Sequence, residues 1–188
     1  LRSAAACVAA ACSGAPPAAR AETVERFKRG LGDEDPHRQL VAVHCLGRIG
    51  RQTDLAAEQE TLTAALTAAF DAPSEDLRTA AALALGSIAA GNVSALLPGV
   101  LALIADGNRA AHRPLLLTAL KELILEASPE ALSPHVGEAL PLLLTHSGEA
   151  ADDAVRRVVG ECLGRLLAAA PEQVLPSLTA QLQSPEAA

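Results

Sequence analysis

The chain has 188 residues, half of them apolar, a formal net charge of −7, two Phe and no Trp, Tyr or Met. That length suffices for one large domain or a short array of repeats. The acidic balance argues against sequence-independent nucleic-acid binding, which needs Lys and Arg clustered on one face. Lys121 and Glu122 interrupt the richest apolar run before it reaches the length of a membrane span.

Ala and Leu dominate the apolar half, and both are strong helix formers, so the composition favours helix throughout. Breakers divide the chain into helices of two alternating kinds, A and B. A B helix is predicted at 2–12. Arg2 followed by AAACVAAAC and SGAPPAA has the outline of a weak signal peptide. However, residues 6–16 superimpose on 161–171, with Cys7 on Cys162 and Pro16 on Pro171, so the segment reads as an Ala-rich repeat helix. An A helix follows at 18–31. Asp33-Glu34-Asp35-Pro36 then introduces B at 37–50, and A is placed at 55–70. Asp71-Ala72-Pro73 leads to B at 74–90, Gly91-Asn92 to A at 94–105, and Asp106-Gly107-Asn108 to B at 110–127. A at 131–146, B at 150–169 and A at 172–183 complete the order. Asp35-Pro36 and Ser128-Pro129 read as a cap residue followed by Pro at the first helical position. Pro98, Pro134 and Pro176 are expected near the starts of A helices, and Pro141 is expected to kink its helix.

The B helices share a six-position apolar stripe at i, i+3, i+4, i+7, i+8, i+11, which is one face of an α-helix. The full copies are Leu77, Ala80, Ala81, Ala84, Leu85, Ile88 and Val155, Val158, Val159, Cys162, Leu163, Leu166. Arg38, Val41, Ala42, Cys45, Leu46, Ile49 and His112, Leu115, Leu116, Ala119, Leu120, Leu123 begin on a polar residue, and Ala4, Cys7, Val8, Ala11 form a partial copy. The fifth position falls at 8, 46, 85, 120 and 163, at intervals of 38, 39, 35 and 43. A helical period of about 40 marks an all-α solenoid of the HEAT or armadillo type, built from antiparallel helix pairs. The chain is therefore expected to be a single array: a partial repeat at 1–15, repeats at 16–53, 54–92, 93–128 and 129–170, and a partial repeat at 171–188. With no Met and a start inside a repeat, it is expected to be a fragment of a longer solenoid.

Such molecules present surface to partners, and the sequence offers little catalytic chemistry. Cys7, Cys45 and Cys162 occupy one stripe slot, where other repeats carry Ala84 and Ala119, so all three are expected to be buried. Cys12 has no such assignment. There is no CxxC, HxxxH, HExxH, GxSxG, P-loop or GxGxxG pattern, and the absence of a disulfide framework fits a reducing compartment. Asp33-Glu34-Asp35 and Asp152-Asp153 precede B helices, where acids favour the positive terminus. No catalytic residue, metal ligand or cofactor is predicted. Gly47, Gly86 and Gly164 follow the stripe Leu and are expected to permit close packing, with Lys121 in that slot in the fourth copy. An acid lies seven residues before an Arg in Asp71–Arg78, Asp106–Arg113 and Glu149–Arg156, which predicts a charged ladder between stacked repeats.

The distribution of charge suggests a face. Beyond the first unit the A helices hold no Lys or Arg, whereas the B helices carry Arg38, Arg48, Arg78, Arg113, Lys121, Arg156, Arg157 and Arg165. B helices usually line the concave side of such solenoids. Arg48, Lys121, Arg157 and Arg165 are therefore the expected partner contacts, on a locally positive surface.

Several segments in order also resemble a known family. PSEDLRTAAALALGSIAAGN (73–92), LLPGVL (96–101), LLLTALKELI (115–124) and VRRVVGECLGRLLAAAPEQVLPSL (155–178) are similar to the C-terminal half of the cullin-associated, neddylation-dissociated proteins. CVAAAC (7–12) and CLGRIGRQTDL (45–55) align upstream. The resemblance implies a long HEAT superhelix that wraps a cullin–RING scaffold lacking NEDD8 and exchanges substrate receptors during assembly of SCF-type ubiquitin ligases. It further implies a non-enzymatic protein of cytoplasm and nucleus, with no nucleic acid, membrane or small-molecule substrate. The family's adaptor-occluding β-hairpin is expected to lie beyond residue 188. A generic HEAT scaffold of transport, phosphatase or chromosome-organising type is the alternative, and a chromophore lyase with a reactive groove Cys or acid is a third reading.

Overall fold

The computed structural model describes residues 2–149 and 153–183. Helices α1 (Arg2–Gly14), α2 (Pro17–Gly30), α3 (Pro36–Gln52), α4 (Gln59–Ala68), α5 (Glu75–Gly91), α6 (Val93–Ala105) and α7 (Arg113–Glu126) are followed by α8 (Pro129–Leu132), α9 (Val136–Glu149), α10 (Asp153–Ala169) and α11 (Pro171–Gln183). Among the described residues there is no strand, and no helix is long and apolar enough to cross a membrane. The fold is all-α, a solenoid of helix pairs.

Local sequence sets the helix starts. Asp35 Oδ1 accepts from His37 N, Ser74 Oγ from Leu77 N, Asn92 Oδ1 from Ala95 N and Ser128 Oγ from Ala131 N. Caps of this kind contribute about 1 kcal/mol each. Three expected helices are less regular than their patterns. The 55–70 helix has 3-10 turns, Ala56–Glu58 and Ala69–Asp71, on either side of α4. The 110–127 helix begins at Arg113, after a 3-10 segment Gly107–His112. The 131–146 helix is split between α8 and α9 by Ser133–His135, where Pro134 has no N–H to continue an α turn. Pro98, Pro141 and Pro176 all lie inside helices, at the sixth residue of α6, α9 and α11.

The B helices α1, α3, α5, α7 and α10 pack side by side in sequence, and the A helices lie against them. In α5 the whole stripe from Leu77 to Ile88 is buried. Leu46 and Leu120 are likewise inaccessible, each such side chain worth about 1.5–3 kcal/mol of burial. The inner B helices bury a second row as well: Val43, Gly47 and Gly50 in α3, Ala82, Gly86 and Ala89 in α5, Leu117 and Ile124 in α7. Small residues in that row bring successive helices together. A Cβ on Gly47 would lie 3.0 Å from Ala84 Cα, and one on Gly86 would collide with the Ala119 carbonyl.

The outer B helices correct two expectations. Cys7 is exposed, because α1 buries Ala5, Ala9 and Cys12 instead of its stripe. These three align with the second row of α3, so α1 turns that row toward α3 and leaves the stripe side open. In α10 the relation is reversed: Val159, Cys162 and Leu166 of the stripe are buried, while Gly160 and Gly164 have nothing within 4 Å of a notional Cβ. Gly164 therefore makes no packing contact of the kind seen at Gly47 and Gly86. Leu163 is only half-buried, unlike Leu46, Leu85 and Leu120.

Candidate functional site

The exposed B-helix surface holds a groove of about 240 Å³ across α3, α5 and α7. Val43, Ala80, Leu83 and Ala84 give it an apolar floor, with His44, Arg48, Ser87, Glu122 and Glu126 around it. The wheel explains the set. Arg48, Ser87 and Glu122 all stand two residues after the stripe Leu, so stacking places them in one line along the array. Ser87 Oγ donates to Glu122 Oε1 at 2.9 Å. Arg51, at the end of α3, forms an ion pair with Glu126, at the end of α7. This pair passes over α5, whose last residues are Ala90 and Gly91. Neighbouring helix axes are about 8–10 Å apart, so alternate B helices pair through side chains only where the face curves inward.

The four residues expected to meet a partner are spread over this surface. Arg48 is half-buried at the groove. Lys121 Nζ is 2.5 Å from Glu161 Oε2, joining α7 to α10. Arg165 Nη2 donates to the Leu125 carbonyl at 3.1 Å across the same junction. Arg157 is exposed on α10. Lys121, by its hydrogen bond and charge, and then Arg157 hold the Glu161 carboxyl below the usual glutamate range. Lys121 and Arg157 thus gather around one acid, Arg165 bonds to the end of α7, and Arg48 stands apart in the α3–α7 groove. Sequence reasoning missed the acids Glu122, Glu126 and Glu161 and the base Arg51. The signal for Glu122 was available, since it shares a wheel position with Arg48 and Arg165.

The ladder between repeats exists, but it does not follow the expected acid–Arg pairs. Asp71 Oδ1 meets His112 Nε2 at 2.8 Å, while Arg78 donates to the Ala72 carbonyl of its own turn. Asp106 caps Asn108 N and lies 3.6 Å from Arg109. The Glu149 side chain lies outside the described residues. Asn92 Nδ2 donates to Asp54 Oδ2, His135 Nε2 meets Ser94 Oγ, and Gln173 Nε2 donates to the Ser133 carbonyl, with separations of 38, 41 and 40 residues. Polar groups of successive repeats therefore bond to one another across the junctions.

The buried thiols have little nucleophilic character. Burial pushes Cys162 up to about 12, and burial followed by the nearby Cys12 raises Cys45. A thiol in that state is protonated at neutral pH. Among the described residues no group of three or more His, Cys, Asp or Glu is arranged to hold a metal ion. A larger cleft, about 740 Å³, lies between α2 and α3 beside Arg26, Phe27, Arg29 and Arg38. There Arg38 is 3.6 Å from Asp33 and 3.8 Å from Asp35, so its own turn answers its charge.

No protein-family model matches the chain. Among solved structures, a designed armadillo repeat protein has a TM-score of 0.46 at 18% identity, covering 98% of this chain and 87% of that one. Individual relatives are much closer in sequence. The chain is 36% identical over 193 residues to cullin-associated NEDD8-dissociated protein 1 of Arabidopsis thaliana, covering 100% of this chain and 16% of that protein. It is 36% identical over 180 residues to cullin-associated NEDD8-dissociated protein 2 of Mus musculus, covering 94% of this chain and 14% of that protein. It is also 32% identical over 155 residues to the C-terminal part of protein 1 from Emericella nidulans, covering 82% of this chain and 14% of that polypeptide. The chain thus spans a small fraction of the length of the relatives it matches, and as such a segment it belongs to the cullin-associated NEDD8-dissociated protein family.

Proposed function

We propose that this segment is part of the cullin-binding scaffold of an exchange factor. The protein would bind a cullin–RING scaffold that lacks NEDD8 and promote exchange of substrate receptors on it, without catalysing a reaction itself. One observation carries the reading: similarity to a relative named for cullin association runs through the whole chain, at 36% identity. The segment's own contribution is surface. Its B helices bring Arg48, Lys121, Arg157 and Arg165 to the exposed side of the array, and these residues are the proposed partner contacts.

The test is binding of the full-length protein to a purified cullin–RING complex with and without NEDD8 attached. Capture of the unmodified complex and loss of capture after modification is the expected result. Equal capture of both forms would remove the exchange-factor reading. Capture of neither would return the chain to a scaffold for some other partner.

A further inference from the structure

We infer that the groove across α3, α5 and α7 receives a helical segment of the cullin partner whose charge is acidic over α3 and basic over α7. The inference rests on the cullin reading and specifies the chemistry of its contact. Arg48 and Glu122 line the same groove but are not bonded to each other. Glu122 accepts from Ser87, and Glu126 is held by Arg51. Lys121 and Glu161 close on one another across a single junction, whereas Arg48 and Glu122 stand on alternate helices, with α5 between them, and do not. Instead the groove stays open at about 240 Å³, with a base at its α3 side, two carboxylates at its α7 side and Leu83 half-exposed between them.

A uniformly acidic partner segment would be repelled at Glu122. A segment with a carboxylate near Arg48 and a Lys or Arg about two helix spacings away, roughly 16–20 Å, satisfies both sides. An apolar side chain between them would rest on Leu83. The two ends also fix direction, because turning the segment round sets like charges against each other.

The sign of one substitution decides between an alternating groove and a purely cationic surface. In the full-length protein, association with the unmodified cullin–RING complex is followed by stopped-flow at low salt. Arg48→Glu is expected to slow association about tenfold, and Glu122→Lys to slow it by a similar factor. Glu60→Lys, an equal charge change on the exposed side of α4, serves as control and is expected to leave the rate nearly unchanged. A purely cationic surface requires Glu122→Lys to accelerate binding. Acceleration, or no change, overturns the proposal. Glu122→Gln keeps the shape and a bond to Ser87, so a smaller slowing in that variant excludes misfolding as the cause. Unaltered rates in every variant, with the wild type binding, would discard the groove and leave the cullin reading intact. Failure of the wild type to bind would overturn both.

Discussion

Helices α1, α5 and α10 carry versions of one stripe and meet different surroundings. α5 is covered on two sides: its stripe is buried, and so is its second row of Ala82, Gly86 and Ala89. α1 buries only the second row, and α10 buries half of the stripe alone. The two half-covered helices therefore show complementary faces, which shows what a repeat array requires of its sequence. Each B helix needs one row to meet the helix before it and another to meet the helix after it. The stripe serves the first junction, and the second row, mostly small in α1, α3 and α5 but Leu117 and Ile124 in α7, serves the second. Cys12 falls into place here, in the row of Gly50, Ala89 and Ile124, as a small buried residue at the junction with α3.

The largest test of this contrast uses equivalent leucines. Leu85→Ala in α5 removes a side chain that is 4% exposed, at an expected cost of about 2–5 kcal/mol. Leu163→Ala, at the same stripe position in half-covered α10, is expected to cost about half as much. Chemical denaturation of both variants checks the ratio, and equal costs would show that the two positions are alike. The next test reverses sign between regions. Gly86→Ala drives a methyl into the Ala119 carbonyl and Glu122 Cβ, with an expected cost of about 1–3 kcal/mol. Gly164→Ala meets nothing within 4 Å. In this 188-residue segment on its own it is expected to stabilise α10 by about 0.5–1 kcal/mol through helix propensity. Destabilisation at Gly164 would mean that its face is covered.

The cysteines give a smaller effect with a direct readout. Cys162→Ala is expected to cost about 1 kcal/mol, since Ala84 and Ala119 already occupy that slot in inner helices. In the folded protein Cys45 and Cys162 should react slowly with a thiol reagent at neutral pH. Raising the pH sharpens this. The folded Cys162 thiol sits near 12, above its ordinary value of 9.0, so its neutral form is favoured by folding. The stability that this burial represents is present below about pH 9 and is lost as the pH rises toward 12.

The fold was largely legible because its signals are local. The stripe spacing, the Asp35, Ser74 and Ser128 caps and the period of about 40 depend only on residues near one another in the chain. What escaped depends on neighbours. Cys7 and Cys162 share a slot, and nothing within either segment tells which side of the helix is covered. The acid–Arg spacing suggests partners, but Asp71 meets His112, 41 residues away, while Arg78 donates to the Ala72 carbonyl of its own turn. The candidate site was half visible. The bases form a recognisable group in the sequence, whereas the acids between them lie on different helices and line up only when the repeats stack. Only alignment of the wheel positions sets Arg48, Ser87, Glu122 and Arg165 in one row.

The smallest expected effect concerns how the inner helices are held. Most side-chain links between repeats join positions 35–41 residues apart, as with Ser87–Glu122 and Asp71–His112. Arg51–Glu126 reaches over α5 to the helix after it. Both side chains are partly exposed, at 39% and 27%, so the pair itself is expected to contribute only about 0.5–1 kcal/mol, screened by salt. A double-mutant cycle with Arg51→Met and Glu126→Gln measures that coupling free of the cost of each single change. Its geometric effect should exceed its energetic one. The pair draws the ends of α3 and α7 toward each other, so removing it is expected to widen the α3–α7 distance, read by spin labels near the two helix ends, with little change in unfolding midpoint. Coupling near zero together with an unchanged distance would show that Gly50, Gly86 and Gly91 set the curvature through close backbone approach alone.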